Sequence, residues 1–210
     1  MADALIWGAS GGIGAALVTT LHDAGWRVLA AARDVASVPA QASIVCPFDA
    51  ADPASFKEAA LLLAHETQAV DLVVYAAGDL RAELVKKASP ADWNAVLDSN
   101  LTGAFLAASH SLYLLSDGGL MAFMGAYVDH VTLPKMAAYA AAKAGLQTLV
   151  DVMRKENRRQ RFAVVRPGAV DTSFWESAPF KLPSDAKSPQ AVARAILDHF
   201  HSGQNTDLNL

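Results

Sequence analysis

The chain has 210 residues, 53% hydrophobic and 18% charged, with 17 basic side chains against 21 acidic ones and a net charge of −4. That length suits one α/β domain with a full core, and the composition excludes a disordered chain. No basic run is long enough to track a nucleic-acid backbone, and no apolar run reaches the ~18–20 residues of a membrane span, so neither partner is expected.

The predicted elements alternate strand and helix. Ala4–Trp7 reads as a strand, and Gly12–Ala24 as a helix stopped by Gly25. Arg27–Ala31 and Ser43–Cys46 read as the second and third strands. The single cysteine, Cys46, excludes an internal disulfide, fits a reducing compartment and reads as a buried, inert thiol. Asp52 is a candidate N-cap for a helix that opens at Pro53 and runs to about Glu66. Leu72–Tyr75 is the fourth strand. Pro90 and Asp92 open a long helix expected to pass through Asn100 to about Leu115, and Gly118-Gly119 precede a fifth strand, Leu120–Met124. Residues 135–159 read as one long helix whose closing basic cluster suits a helix dipole. Phe162–Val165 is the sixth strand, ended by Pro167-Gly168. A loop over 172–188 leads to Ser188-Pro189, which cap a helix over 189–201, and Asp207–Leu210 is a last short strand. Short apolar strands alternating with helices predict a doubly wound parallel sheet of three α/β/α layers, one domain over residues 1–210, with its ligand crevice at the carboxyl ends of the strands.

Two local patterns carry chemistry. Gly8-Ala9-Ser10-Gly11-Gly12-Ile13-Gly14 joins the first strand to the first helix. Its small residues let backbone N–H groups and the positive end of a helix dipole approach a dinucleotide pyrophosphate. Because this turn begins at residue 8, no leader is expected ahead of the first strand, and a cytoplasmic location follows as the default. Tyr139-Ala140-Ala141-Ala142-Lys143 puts a phenol and an ammonium on one helix face. A lysine charge there favours the phenolate, and a tyrosine so tuned can exchange a proton with a carbonyl or alcohol oxygen. The histidines show no ligand spacing beyond His199-x-His201 near a helix end, so no metal is expected.

Taken in order, the glycine turn, Asp49, Ala76-Ala77-Gly78, Asn100 within Asp98-Ser99-Asn100-Leu101-Thr102-Gly103, Tyr139-x-x-x-Lys143 and Pro167-Gly168 resemble the short-chain dehydrogenase/reductase family over essentially the whole chain. The resemblance implies a Rossmann fold, a nicotinamide cofactor and reversible carbonyl/alcohol chemistry. Tyr139 would then be the general acid/base, and Lys143 would lower its pKa and hold the ribose. Asn100 would act through a backbone kink that holds a water of the proton relay. Asp49 would sit at the adenine and Ala76-Ala77-Gly78 along the cofactor floor, while Pro167, Gly168 and Thr172 would lie along the nicotinamide. Gly8, Ser10, Gly11, Gly12, Ile13 and Gly14 complete the expected cofactor set. At the end of the second strand an acidic residue would favour NAD; Ala32 stands there instead, followed by Arg33, whose guanidinium can pair with the extra phosphate of NADP. NADP(H) is therefore expected, with NAD the alternative.

The chain departs from the family pattern in two places. Ala76-Ala77-Gly78 replaces the usual Asn-Ala-Gly and loses a hydrogen-bonding side chain. The family's substrate-binding serine, about thirteen residues before the tyrosine, falls on Ala126. Losing such a donor typically costs ~10²–10³-fold in rate. Tyr127 and His130 are the nearest polar candidates to replace it, with Thr132 a weaker one, and a water held by Tyr139 would also serve. Phe174, Trp175 and Phe180 fall in the loop that closes over substrate in the family, and suit an apolar substrate or a packed lid. Two readings follow: an NADP(H)-dependent oxidoreductase acting on a small or medium carbonyl/alcohol, or an NADP(H)-binding sensor or scaffold weakened by the missing serine. In either case a homodimer or homotetramer is expected, because the family uses the two long helices for assembly.

Overall fold

The computed structural model describes residues 1–210. Its elements are β1 (Asp3–Trp7), α1 (Gly12–Asp23), β2 (Arg27–Ala32), β3 (Ile44–Pro47), α2 (Pro53–Glu66), β4 (Val70–Tyr75) and α3 (Pro90–Leu97). A π-helical segment, Asp98–Thr102, joins α3 to α4 (Gly103–Ser111). Then follow β5 (Leu115–Met124), the short α5 (Val128–Val131), α6 (Ala137–Glu156), β6 (Arg161–Arg166), α7 (Pro189–Ser202) and β7 (Leu208–Asn209). A 3₁₀ turn, Ser173–Ser177, lies within the stretch read from sequence as plain loop.

All seven strands are parallel, in the order β3-β2-β1-β4-β5-β6-β7. Sequence order reverses between β1 and β4, and this reversal opens a crevice at the carboxyl edge. Alternation of side chains explains the continuous apolar strands. Leu5, Trp7, Val73 and Tyr75 point into one core with α2, α4 and α6. Ala4, Ile6, Leu72 and Val74 point into the other, covered by α1 and α7. The anticipated caps form: Asp52 accepts from the Ala54 amide at 3.0 Å and Ser188 from Ala191 at 3.2 Å.

Two expectations need correction. The helix predicted to run unbroken to about Leu115 is interrupted at Asp98–Thr102 and ends at Ser111. Leu115 instead opens β5, paired with Val70, with a register shift before Leu120 meets Leu72. Gly118, with a φ of +76°, and Gly119 fall between those two pairings, so the two glycines lie within the strand and not ahead of it. Tertiary pairing overrides the helical look of the Leu112–Leu115 run.

Candidate active site

The glycine turn is built by close backbone approach. Gly8 has a φ of +86°, and a Cβ there would meet the Ala77 amide at 2.6 Å. A Cβ on Gly14 would overlap the Gly8 carbonyl, so α1 starts directly against the end of β1. No side chain caps α1, whose first amides therefore lack helical partners. Gly11, Gly12 and Ile13 line one end of a cavity of about 760 Å³; Gly8, the half-buried Ser10 and Gly14 shape the turn behind it.

The cavity runs along the carboxyl ends of the strands. Ala76, Ala77 and Gly78, after β4, form one wall, and Ala126 and Tyr127, after β5, another. Pro167, Gly168 and Thr172 contribute from beyond β6, with the Thr172 methyl placed 2.5 Å from where a Gly12 Cβ would be. Phe174 and Trp175 cover the cavity from the 3₁₀ turn. The Phe174 ring lies 5.5 Å from that of Tyr139. The Trp175 indole donates to the Val170 carbonyl at 2.8 Å, while a bridge between Val170 and Lys187 ties the covering segment at its base. Arg33 and Asp49 stand apart from this cavity, just beyond β2 and β3. Arg33 is exposed and makes no ion pair; Asp49 accepts from the Ala51 amide.

Tyr139, Lys143 and Asn100 converge on the same cavity. Successive turns of α6 place Lys143 Nζ 5.2 Å from the Tyr139 ring centroid, and the ammonium donates to the Met124 carbonyl at 2.7 Å. Desolvation pushes Lys143 down to about 7 and the Tyr139 phenol well above its usual value, so burial opposes the expected lowering of the phenol by the lysine. Asn100 is 1% exposed and sits at the centre of the π segment. Its amide donates to the carbonyls of Asp79, at 2.7 Å, and Val96, at 2.9 Å. Its Oδ1 is buried without a partner, next to Gly78. The backbone distortion implied at Asn100 is therefore present as a π turn.

Around the missing serine the polar candidates divide. Tyr127 and His130 line the cavity and pack ring to ring at 5.1 Å, the Tyr127 hydroxyl reaching the Leu210 carbonyl at 3.4 Å. Thr132 turns away, bonding the Val128 carbonyl on an exposed surface. Sequence reasoning missed Met136, Lys181 and Lys187 on the cavity wall, which follow no motif. It also missed Tyr75, buried beneath the π segment, whose signal was a polar aromatic at the end of an apolar strand.

With this geometry in view, the comparisons agree on a class. The sequence model of the short chain dehydrogenase family matches residues 2–181, and the chain belongs to that family, whose members are oxidoreductases. Among its relatives is an uncharacterized oxidoreductase of Staphylococcus aureus (strain N315), 28% identical over 220 aligned positions that cover 98% of this chain and 94% of the relative. The 2,3-dihydro-2,3-dihydroxybenzoate dehydrogenase of Bacillus subtilis (strain 168) is 29% identical, covering 95% of this chain and 80% of that enzyme. In structure, the chain is similar to an alcohol dehydrogenase from the archaeon Thermococcus sibiricus solved with 5-hydroxy-NADP, with a TM-score of 0.89, 26% identity and coverage of 100% and 96%.

Proposed function

We propose that the chain is an NADP(H)-dependent oxidoreductase that transfers hydride between the nicotinamide and a small or medium carbonyl/alcohol substrate, with Tyr139 as general acid/base. The observation that carries this reading is the convergence of Tyr139, Lys143 and Asn100 on one cavity whose far end is the uncapped, glycine-rich start of α1. The residues fit the cofactor. The turn from Gly8 to Gly14 is closed by the Gly11 amide on the Gly8 carbonyl at 3.1 Å, and it leaves the backbone amides of Gly12 and Ile13 for a pyrophosphate. Lys143 spends one of its three donors on Met124 and keeps the others for ribose hydroxyls. Asp49 would hold the adenine end; Ala76, Ala77 and Gly78 would form the floor; and Pro167, Gly168 and Thr172 would flank the nicotinamide. The bound nicotinamide supplies or accepts the hydride.

The chain's own groups then manage the proton. Tyr139 donates to the nascent alkoxide in reduction, or takes the hydroxyl proton in oxidation. Lys143, charged below about pH 7 in this buried setting, gains hydroxyl acceptors when the ribose is in place, which favours its charged form and in turn the phenolate. Support for NADP over NAD comes from Arg33, exposed and free of any ion pair, directly after Ala32, and from the Thermococcus relative solved with an NADP derivative. Phe174 and Trp175 over the cavity, with Met136 and Leu133 in its wall, suit a substrate with an apolar body. The covering segment, about 172–188, is the substrate loop.

Ala126 on the cavity wall supports a second reading, an NADP(H)-holding sensor or scaffold with weakened chemistry. A screen of aldehydes, ketones and quinones with NADPH and NADH, read at the nicotinamide absorbance, separates the two. Turnover faster with NADPH, lowered ~10²–10⁴-fold in Tyr139→Phe while NADPH binding persists, is the expected result. Tight NADPH binding without turnover across the panel overturns the enzyme reading in favour of the sensor. We further propose a cytoplasmic homodimer or homotetramer; no helix is long and apolar enough to cross a membrane.

A further inference from the structure

A regular helix would pair the Ser99 carbonyl with the Gly103 amide four residues on. Here the Gly103 amide reaches back five residues to Asp98, and the Ser99 carbonyl accepts instead from the Tyr75 hydroxyl at 2.7 Å. Tyr75 is 2% exposed at the end of β4 and reaches the helix from beneath. A Cβ on Gly103 would overlap the Tyr75 hydroxyl and lie 2.9 Å from the Asp98 carbonyl, so only glycine admits the phenol at this point. Two residues separated in sequence thus form one device, a hydroxyl wedge and the gap that receives it. Inserted groups of this kind are a recognised cause of helix distortion.

From this arrangement we propose that Tyr75 is a positioning residue: its hydroxyl holds open the π turn of Asp98–Thr102 and thereby fixes Asn100 at the cavity. Asn100 lies one residue beyond the carbonyl that Tyr75 captures, and its amide spans from Val96 to Asp79 across the same turn. The next residue, Leu101, packs into α6 where a Cβ on Gly145 would meet Leu101 Cδ2 at 2.9 Å, two residues past Lys143. The wedge therefore sets the spacing between Asn100 and the helix that carries Tyr139 and Lys143. Without the hydroxyl, the Ser99 carbonyl loses the partner that holds it out of the helical pattern, and the donor a regular helix would offer it is the Gly103 amide. Taking that bond converts the segment to ordinary α-helix and rotates Asn100 away from its present place. The effect on catalysis rests on the oxidoreductase reading above; the effect on the backbone does not.

The test is a cycle of Tyr75→Phe, Gly103→Ala and the double variant, followed by thermal melting, crystal structures, NADPH binding and steady-state kinetics. In Tyr75→Phe the Gly103 amide is expected to bond Ser99 in place of Asp98. NADPH affinity should change little, and kcat should fall ~10–100-fold at nearly constant KM, as for a misplaced catalytic group. Gly103→Ala is expected to melt well below the parent, and much of that loss should be recovered in the double variant, where Tyr75→Phe has removed the overlapping oxygen. A Tyr75→Phe structure that keeps the Gly103-to-Asp98 bond with Asn100 unmoved overturns the proposal, as does equal destabilisation by Gly103→Ala on both backgrounds. If the parent protein turns over no substrate, the enzyme reading falls while the structures and melting data still decide the role of Tyr75.

Discussion

Lys143 shows how one side chain at the candidate site can cost stability. Buried at 5% exposure with a single carbonyl partner, it is pushed from 10.5 down to about 7. Between those values the unfolded chain holds a proton that the folded chain has shed, so stability rises with pH from about 7, and the penalty is fully present below it. Above about pH 9, Cys46 and Tyr139, both raised by burial, act in the opposite sense. Melting of the cofactor-free protein should therefore shift upward between pH 7 and about 9. Lys143→Met should flatten that rise and stabilise the protein at pH 7 by ~1–3 kcal/mol, the desolvation relieved less the bond lost at Met124, while abolishing turnover. Ala126 gives the converse case. If nothing else on the cavity wall holds the substrate oxygen, Ala126→Ser restores a donor and should raise kcat ~10²–10³-fold at little cost in stability, measured on whichever substrate the parent turns over. An unchanged rate assigns the role to another group, with Tyr127 and His130 the side chains in place.

Elements were legible from sequence to the degree that their own residues enforce them. The caps at Asp52 and Ser188 act within three residues, and the glycine turn and the Tyr139–Lys143 pair within seven, so a reader of the chain meets cause and effect together. The π turn is different. Its distorting group, Tyr75, lies 24 residues before Ser99 and meets it only after β4 and α3 have packed. The resemblance marked a kink at Asn100, but nothing in the local pattern identified what holds it. The early start of β5 was hidden for a related reason: Leu115 pairs with Val70 across the sheet, a contact that no short window contains. The segment over the cavity combines both kinds of information. Its aromatics were visible, yet its anchor is tertiary, with Trp175 tied to Val170 and Val170 bridged to Lys187. Trp175→Phe keeps the ring against the cavity and removes that one bond. It should speed amide exchange over 172–178 and raise the substrate KM several-fold, the cost of ordering a looser cover, with kcat nearly unchanged.

At the scale of the whole molecule, sheet order follows from a rule and not from any single residue. Parallel strands joined by helical crossovers, begun at β1 and reversed at β4, leave one crevice, and the candidate active site lies along it. The same topology sets α2, α4 and α6 side by side on one face of the sheet, with α1 and α7 on the other. On the first face, α6 turns outward a stripe of Ala141, Ala144, Thr148 and Val152, all exposed and none charged, while α4 exposes Phe105, and Tyr113 is exposed just beyond it. Small outward residues permit close helix packing, and large apolar ones at 51% and 59% exposure favour being covered. Both features suit the proposed self-association through a two-fold contact, in which each copy offers the same face. Because these side chains add little to the core of one subunit, charging them tests the contact without dismantling the fold. Phe105→Glu combined with Val152→Glu should lower the sedimenting mass from dimer or tetramer toward monomer, with secondary structure preserved. A parent that sediments as a monomer, or a double variant with unchanged mass, would place the contact elsewhere or remove the need for one.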